Sequence, residues 1–462
     1  MNESPATISP KENSETISEN TTLVPKSEPK APIGKLKFLF VSLESLSGDL
    51  AWTVKKEGHE VKAYIKEKGD IDVYNGIIDK IEDWKLFQDW ADVIVFDDVE
   101  FGQIADKLRK AGKLVVGGSE YTDRLEMDRD FGQNEMKRYG VPILPHKHFS
   151  NYDEAIEFLK SNPARYVFKP SGNIPSTGKG LLIVAQEEDS KDLIEMLERN
   201  KDVWQKKAPI FLLQKFVQGV EIGVGAFFNG NDFIYPINVN FEHKRLFPGD
   251  LGPLVGEAGT MMYWSNPNKI FKLTLEKMLP SLRESKYVGY IDINCIVNGS
   301  GIYPLEFTSR FGYPTIEIQQ EGIMMPMGEL LYRMAKGENF EMRTKRGFQV
   351  GVRIFVPSYF VPSKEGSETI NTYKDLPILF KNPKNMEGVH IEDVKIENGV
   401  WRIAGQSGVL FVITASAKTV TEAQRKVYVR VKNIVAQNMF YRVDIGTRWG
   451  EDSDKLQSWG YL

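Results

Sequence analysis

The chain has 462 residues, 41% of them hydrophobic and 26% charged, with a formal net charge of -4 and the two signs interspersed. That length predicts about three domains, and the balanced charge offers no basic footprint for duplex nucleic acid or an anionic membrane surface, so small ligands are the expected partners. The single cysteine, Cys295, excludes an internal disulfide; with no signal-peptide pattern and no apolar run of membrane-spanning length, the expected compartment is the cytoplasm.

Residues 1–34 lack aromatic side chains and are dense in Ser, Thr, Glu, Lys and Pro. Such a segment buries too little apolar surface to offset chain entropy and reads as a disordered tail. From Lys35 the pattern changes. "KLKFLFVSL" is a strand, "SGDLAWTVKKEG" a helix opened by Ser47 and closed by Gly58, and "HEVKAYI" a second strand. "ADVIVFDD", "FGQIADKLRKAG" and "KLVVGG" continue the alternation, which predicts a small doubly wound parallel, Rossmann-like domain over 35–118. Its ligand crevice is expected at the carboxyl ends of the strands, near Ser42 to Asp49 and Asp97 to Glu100.

Residues 119–345 mix helices with hairpins. "RYVFK" is a strand ending in Lys169, "LLIV" the returning strand, and the Gly-rich connection carries Ser171, Gly178, Lys179 and Gly180. It fails as a Walker A loop, because five residues separate Gly172 from Gly178 and Gly180 stands where a magnesium-binding hydroxyl is needed. It suits instead a flap whose backbone N–H groups close over a triphosphate, with Lys169 on the strand below holding the negative oxygens. In "IFLLQKFVQGVEIGVGAFF", the backbone of Gln214, Lys215 and Val217 is a candidate edge for an adenine ring, and Glu221 a carboxylate suited to ribose hydroxyls. "EHKRLFPGDLGPLVGEAG" reads as a charged Gly/Pro-rich loop holding His243, Lys244, Arg245 and Asp250. "GYIDINCIVNGSGIYPLEFTSRFG" is a hairpin. Asp292 and Asn294 alternate with apolar neighbours on one strand, Glu306 lies on the other, and together they offer the oxygen ligands that magnesium bridging nucleotide phosphates takes. Arg310 follows as a planar donor for carboxylate or phosphate. Cys295 reads as a small buried hydrophobe, and His146 with His148 in "PHKH" lacks the third ligand a zinc site needs.

The rest of the chain, 346–450, reads as an α+β domain, followed by a tail at 451–462. Its closing helix carries a capping box at Thr421 and Gln424 and an apolar period through Ala423, Val427, Val431 and Ile434.

Taken together these residues resemble the ATP-grasp enzymes, and among them the glycinamide ribonucleotide synthetases, or phosphoribosylamine-glycine ligases. "EHKRLFPGDLGP" is similar to that family's "DHKR...DTGP" loop, "LEFTSRFGYP" to its "EFN.RFGDP" strand end, and "VTEAQRKVYVRVKNI" with "YRVDIG" to its closing helix and strand. The resemblance implies a multidomain α/β and α+β fold with a central ATP-grasp domain, ATP as cofactor, and Mg2+ (or Mn2+) on Glu306. It implies Lys169 and Arg129 at the nucleotide, Glu221 at the ribose, and His243, Lys244, Arg245, Asp250 and Arg310 around an acyl-transfer centre. The implied chemistry is amide formation from a small carboxylate such as glycine through an acyl phosphate, with phosphoribosylamine or a different amine as acceptor. Departures accompany these matches, and the first two fall at the crevice expected for the second substrate. "LESLSGDLA" replaces the family's "GGREHA", "FDDVE" its "GPE", "GPLVGEAG" its "GPNTGGMG", and Thr308 and Tyr313 stand for its asparagine and aspartate. A nucleotide-binding scaffold without catalysis is the alternative reading.

Overall fold

The computed structural model describes residues 34–171, 181–357 and 364–462. The expected tail up to residue 33 and the flap positions Gly178, Lys179 and Gly180 lie outside the described residues. Residues 34–462 form one compact unit, and among the described residues no helix is long and apolar enough to cross a membrane.

The first layer is parallel, as the alternation predicts. β1 (Lys37–Ser42), α1 (Gly48–Lys56), β2 (Glu60–Ile65), β3 (Asp79–Lys80), β4 (Val93–Phe96), α2 (Gly102–Lys110) and β5 (Val115–Val116) follow in order. Their strands assemble as β3-β2-β1-β4-β5, with every pair parallel. Phe38 to Val41 and Val93 to Phe96 are buried without a break, the mark of strands covered on both faces. Two short helices, α3 (Glu120–Met127) and α4 (Arg129–Arg138), then lead out of this sheet.

A small four-stranded sheet carries the flap. It comprises β6 (His146–Phe149), α5 (Tyr152–Ser161), β7 (Tyr166–Pro170), β8 (Ile183–Val184), α6 (Lys191–Lys207) and β9 (Phe211–Lys215), ordered β6-β9-β7-β8. A separate aromatic core of Phe149, Tyr152, Phe168 and Phe211 fills it. β9 does not pair with the strand that follows it: it lies between β6 and β7, while the next strand joins another sheet.

That larger sheet is antiparallel. Its first members are β10 (Val220–Asn229), β11 (Phe233–Phe247) and β12 (Leu251–Ser265); α7 (Lys269–Leu273) and α8 (Leu279–Glu284) intervene before the hairpin β13 (Val288–Asn298) and β14 (Gly301–Thr308). α9 (Thr315–Gly322) and α10 (Met327–Ala335) precede β15 (Phe348–Phe355), which pairs with β12, so the sheet runs on across residue 345. After α11 (Lys364–Tyr373) come β16 (Pro377–Phe380), β17 (Val389–Ile391), β18 (Val394–Glu397), β19 (Val400–Ile403) and β20 (Val409–Ala417). The full order is β14-β13-β10-β11-β12-β15-β20-β17. α12 (Val420–Val431), β21 (Ile434–Val435) and α13 (Trp449–Ser458) close the chain.

Three expectations change here. The charged "loop" at 242–259 is a long β11–β12 hairpin, bulged near His243, Arg245 and Phe247 and turned by Gly249 and Asp250 at positive φ of 72° and 56°; Gly and Pro there mark bulges and the turn rather than a loop. The cap of α12 is Thr419, whose side chain accepts from the N–H of Glu422, so the box at Thr421 does not form, and Ile434 belongs to β21. The segment read as a closing tail contains α13, whose Leu456 is fully buried.

Candidate active site

Strand periodicity builds the site. Along β11 successive side chains alternate between faces, which sets Asn238, Asn240, Glu242 and Lys244 on one side. Across β13 and β14, Asn294 is the direct partner of Glu306 and Asp292 of Thr308. β10 lies between β11 and β13 and contributes Gly223 opposite both Asn240 and Asn294. A Cβ at Gly223 would stand 2.2 Å from Asn240 Oδ1 and 2.7 Å from Asn294 Oδ1. Only glycine leaves room for these amides on the face.

Charges converge above this floor. Lys244 Nζ lies 2.9 Å from Glu221 Oε1, 3.4 Å from Glu242 Oε2 and 3.8 Å from Glu306 Oε1. Arg129, the first residue of α4, places Nη2 3.2 Å from Glu306 Oε2. Burial pushes the Glu306 carboxyl up, but the fields of Lys244, Arg129 and Lys169 override it and bring its pKa to about 2. Lys169, 8% exposed at the end of β7, is lowered to about 8 by burial and then by Arg129. Burial also opposes the charge on Lys244, and Glu221, Glu242 and Glu306 more than restore it, raising its pKa well above the ordinary lysine value. Lys169, Lys244, Arg129 and Glu306 therefore share one electrostatic field, joining the flap sheet to the hairpin.

Asn294 donates Nδ2 to both oxygens of Glu242, at 3.1 and 3.2 Å, and its Oδ1 is buried without a partner. Asp292 is 2% exposed, and burial, with the charge of Glu242, raises its pKa well above the carboxylate range.

The residues expected around an acyl-transfer centre fall into two groups, Lys244 and Arg310 in the field of Glu306, and His243 and Asp250 in each other's. His243 alternates to the far face from Lys244, where its Nε2 accepts from the N–H of Gly446 at 3.3 Å; burial and the fields of Arg448 and Arg442 lower its pKa to about 3. Asp250 is held by Arg442 at 2.8 Å and Arg448 at 3.0 Å, and Arg245 donates to the carbonyl of Gly252 at 2.6 Å. Arg310 lies between the parallel layer and the hairpin, 3.2 Å from both Asp98 and Glu126. The free edge expected at Gln214 and Lys215 is taken: Gln214 pairs with His146 on one side and Val167 on the other, and the N–H of Lys215 donates to Pro145. Val217 lies beyond the strand end and is half-buried. Ser171 Oγ donates to Asp130 at 3.4 Å. His146 and His148 stack edge to face, with His148 on Asp130 at 3.1 Å. Cys295 is buried, and burial raises its thiol pKa.

Sequence reasoning passed over Glu242 and Glu126. The two-residue period that carries Lys244 also carries Glu242, but it is visible only once the segment is taken as a strand. Glu126 is a helix residue whose role comes from tertiary contact, accepting from the N–H of Ser309 at 2.7 Å and from Arg310.

Residues 127–316 match the family model described as Phosphoribosylglycinamide synthetase, ATP-grasp (A) domain. The matched segment is similar to the ATP-grasp domain of the phosphoribosylglycinamide synthetases. The chain is 25% identical over 364 residues to a phosphoribosylamine-glycine ligase of Streptococcus pneumoniae, covering 76% of this chain and 82% of that one. A Listeria monocytogenes ligase of the same name is 26% identical over 362 residues, with 75% and 81% covered. Among solved structures, the phosphoribosylamine-glycine ligase of Thermotoga maritima has a TM-score of 0.66 at 21% identity, covering 89% of this chain and all of that one. The biotin carboxylase domain of a Hydrogenobacter thermophilus 2-oxoglutarate carboxylase, solved with MgADP, ADP and bicarbonate, has a TM-score of 0.62 at 14% identity, covering 93% of this chain and all of that one. The small sheet bearing Lys169 and the larger sheet bearing Glu306 are thus the two halves of an ATP-grasp fold.

Proposed function

We propose that the protein is an ATP-dependent carboxylate-amine ligase acting in the cytoplasm, which joins a small carboxylate, glycine or similar, to an amine. The observation that carries this reading is the meeting of Lys169, Arg129 and Lys244 around Glu306, contributed by the flap sheet, α4, β11 and β14. A scaffold needs no such cluster of cations about one deeply acidic carboxylate. The ligase names of the sequence relatives point the same way.

The donor set fits a hard divalent cation. Glu306 is ionised throughout the physiological range, and the unpartnered Oδ1 of Asn294 stands on the facing strand. Magnesium on nucleotide phosphates takes one or two protein oxygens and keeps its waters, in keeping with the lack, among the described residues, of any group of three or more His, Cys, Asp or Glu placed to hold a metal. Glu306 and Asn294 would hold Mg2+ (or Mn2+), which when bound supplies positive charge to the phosphate oxygens. Asp292, whose anionic form burial and the charge of Glu242 disfavour, would serve as a hydrogen-bonding floor.

In the reaction, the substrate carboxylate attacks the γ-phosphorus of ATP, the bond to the ADP oxygen breaks, and an acyl phosphate forms. The amine then attacks the acyl carbon, inorganic phosphate leaves, and the nitrogen loses a proton. Lys169 and Lys244 hold the negative oxygens in place, so the protein contributes positioning and charge stabilisation without a covalent intermediate of its own. Val217, just past the taken edge of β9, is the remaining backbone candidate for the adenine, and Glu221 for the ribose. ADP release is the test: it should rise when glycine or another small amino acid is added with an amine acceptor. Detectable ATP binding with no ADP under any combination would instead support the scaffold.

A further inference from the structure

The loop Leu43–Ser47 joins β1 to α1 at the carboxyl end of the parallel sheet, where ligands of doubly wound folds sit. A helix N-terminus in that position is a ready cradle for phosphate. Here its amides are already committed. The N–H of Leu46 donates to Ser42 Oγ at 3.1 Å, that of Ser47 to Asp97 Oδ2 at 3.0 Å, and that of Gly48 to the carbonyl of Ser45 at 3.4 Å. Ser42 Oγ donates to the same Asp97 oxygen at 2.5 Å. In the first turn of α1, Asp49 is 1% exposed and bound by His390 Nδ1 at 2.7 Å and the N–H of Ile391 at 2.9 Å. The Asp97 carboxylate thus takes up amides that a phosphate would need, while Asp49 is bound to the β17 segment.

Beside this loop lies a cavity of about 430 Å3, a volume suited to a small organic ligand. Glu44, Glu67, Asp70, Glu392 and Asp393 line it, and the one cation among its described lining residues, Arg353, is spanned by Glu392 at 2.9 and 3.3 Å. Behind that pair stands Glu317, 1% exposed, its Oε2 without a partner, in the field of Glu392, Asp49 and Arg353. Contacts through the protein link its wall to the phosphoryl cluster: Arg353 Nη1 donates to the carbonyl of Glu257 at 3.4 Å, and the Glu257 carboxyl lies in the field of Glu242 and Lys244.

We infer that this cavity receives the acceptor, and that the acceptor is an unphosphorylated organic amine, cationic at neutral pH, of which a short diamine is the simplest form. The inference rests on the ligase reading above. A phosphorylated amine would meet acidic side chains where it needs amides and cations; an ammonium group would meet Glu44 and Glu67, and would favour the charged forms of Asp70 and Asp393, whose pKa values burial raises to about 6 and about 8. Among the described residues these carboxylates form no metal-binding group of three.

The experiment is calorimetric titration of the full-length protein with 1,4-diaminobutane, ribose 5-phosphate, MgCl2 and MgATP, each separately. The diamine should bind, and more tightly than ribose 5-phosphate. The double variant Glu44→Gln/Glu67→Gln, both exposed positions, should weaken the diamine tenfold or more and leave MgATP unchanged. Tighter binding of ribose 5-phosphate, undiminished diamine binding in the double variant, no diamine binding, or displacement of the diamine by millimolar MgCl2 would each overturn the inference. Failure of MgATP to bind would overturn the ligase reading instead, whatever the diamine does.

Discussion

Lys169 can be tested through its proton. Its pKa of about 8, against 10.5 for an ordinary lysine, makes the charge facing the nucleotide titrate within reach of a binding assay. Only the ammonium form attracts phosphate, so one pH unit above that pKa about one-tenth of the free protein is competent and the apparent Kd for MgATP should rise about tenfold. The effect on the unliganded protein has the opposite sign. Between about 8 and 10.5 the folded state binds fewer protons at this side chain than the unfolded state, so its contribution to stability grows with pH, by at most about 1.4 kcal/mol per unit. The assay is calorimetric titration of MgATP from pH 7 to 9.5, paired with urea denaturation of the free protein at the same values. Lys169→Arg, with a guanidinium that stays charged, should flatten the binding profile, and Lys169→Met should flatten and weaken it. A Kd for the unsubstituted protein that is constant from pH 7 to 9.5 would refute the reasoning.

Glu306→Gln should lower ADP formation by about 10²–10³-fold, the scale on which one preorganised electrostatic partner acts, while the urea midpoint shows the fold retained; an unchanged rate would show that Glu306 is not at the reacting phosphates. Asp292→Asn should change turnover less than threefold, because burial and the charge of Glu242 disfavour the anionic form of the carboxyl it replaces; loss of activity with Mg2+ dependence altered would restore it as an anionic ligand. His243→Ala should lower the urea midpoint, since the ring fills a buried position, yet leave the Kd for MgATP unchanged, as it faces away from Lys244; a weakened Kd would contradict the face assignment.

The parallel layer was legible because its signals are local. Apolar runs such as Phe38 to Val41 and the helix between them need no tertiary information to be placed in order. The hairpin of Asn294 and Glu306 was legible for the same reason: a two-residue period and a tight Asn-Gly-Ser-Gly turn decide which side chains share a face. The β11–β12 hairpin was obscured because Gly249, Gly252 and Gly256, with Pro248 and Pro253, imitate a loop, whereas they accommodate bulges and a turn within long strands. That single misreading set His243 and Lys244 side by side, whereas alternation puts them on opposite faces. It also hid Glu242. The pairings of Arg310 with Asp98 and Glu126, and of Asp49 with His390, span 184 to 341 positions of sequence, and no local pattern encodes contacts at that range.

The claim on which the account turns is that phosphate is transferred to a carboxylate at the Lys169–Lys244–Glu306 cluster. Supplying the carboxylate substrate with 18O in both carboxyl oxygens, and analysing the inorganic phosphate by mass spectrometry, tests it directly. Passage through an acyl phosphate leaves one 18O in each phosphate released. Phosphate without label, its new oxygen drawn from water, would show hydrolysis of ATP with no carboxylate activated and would contradict the account.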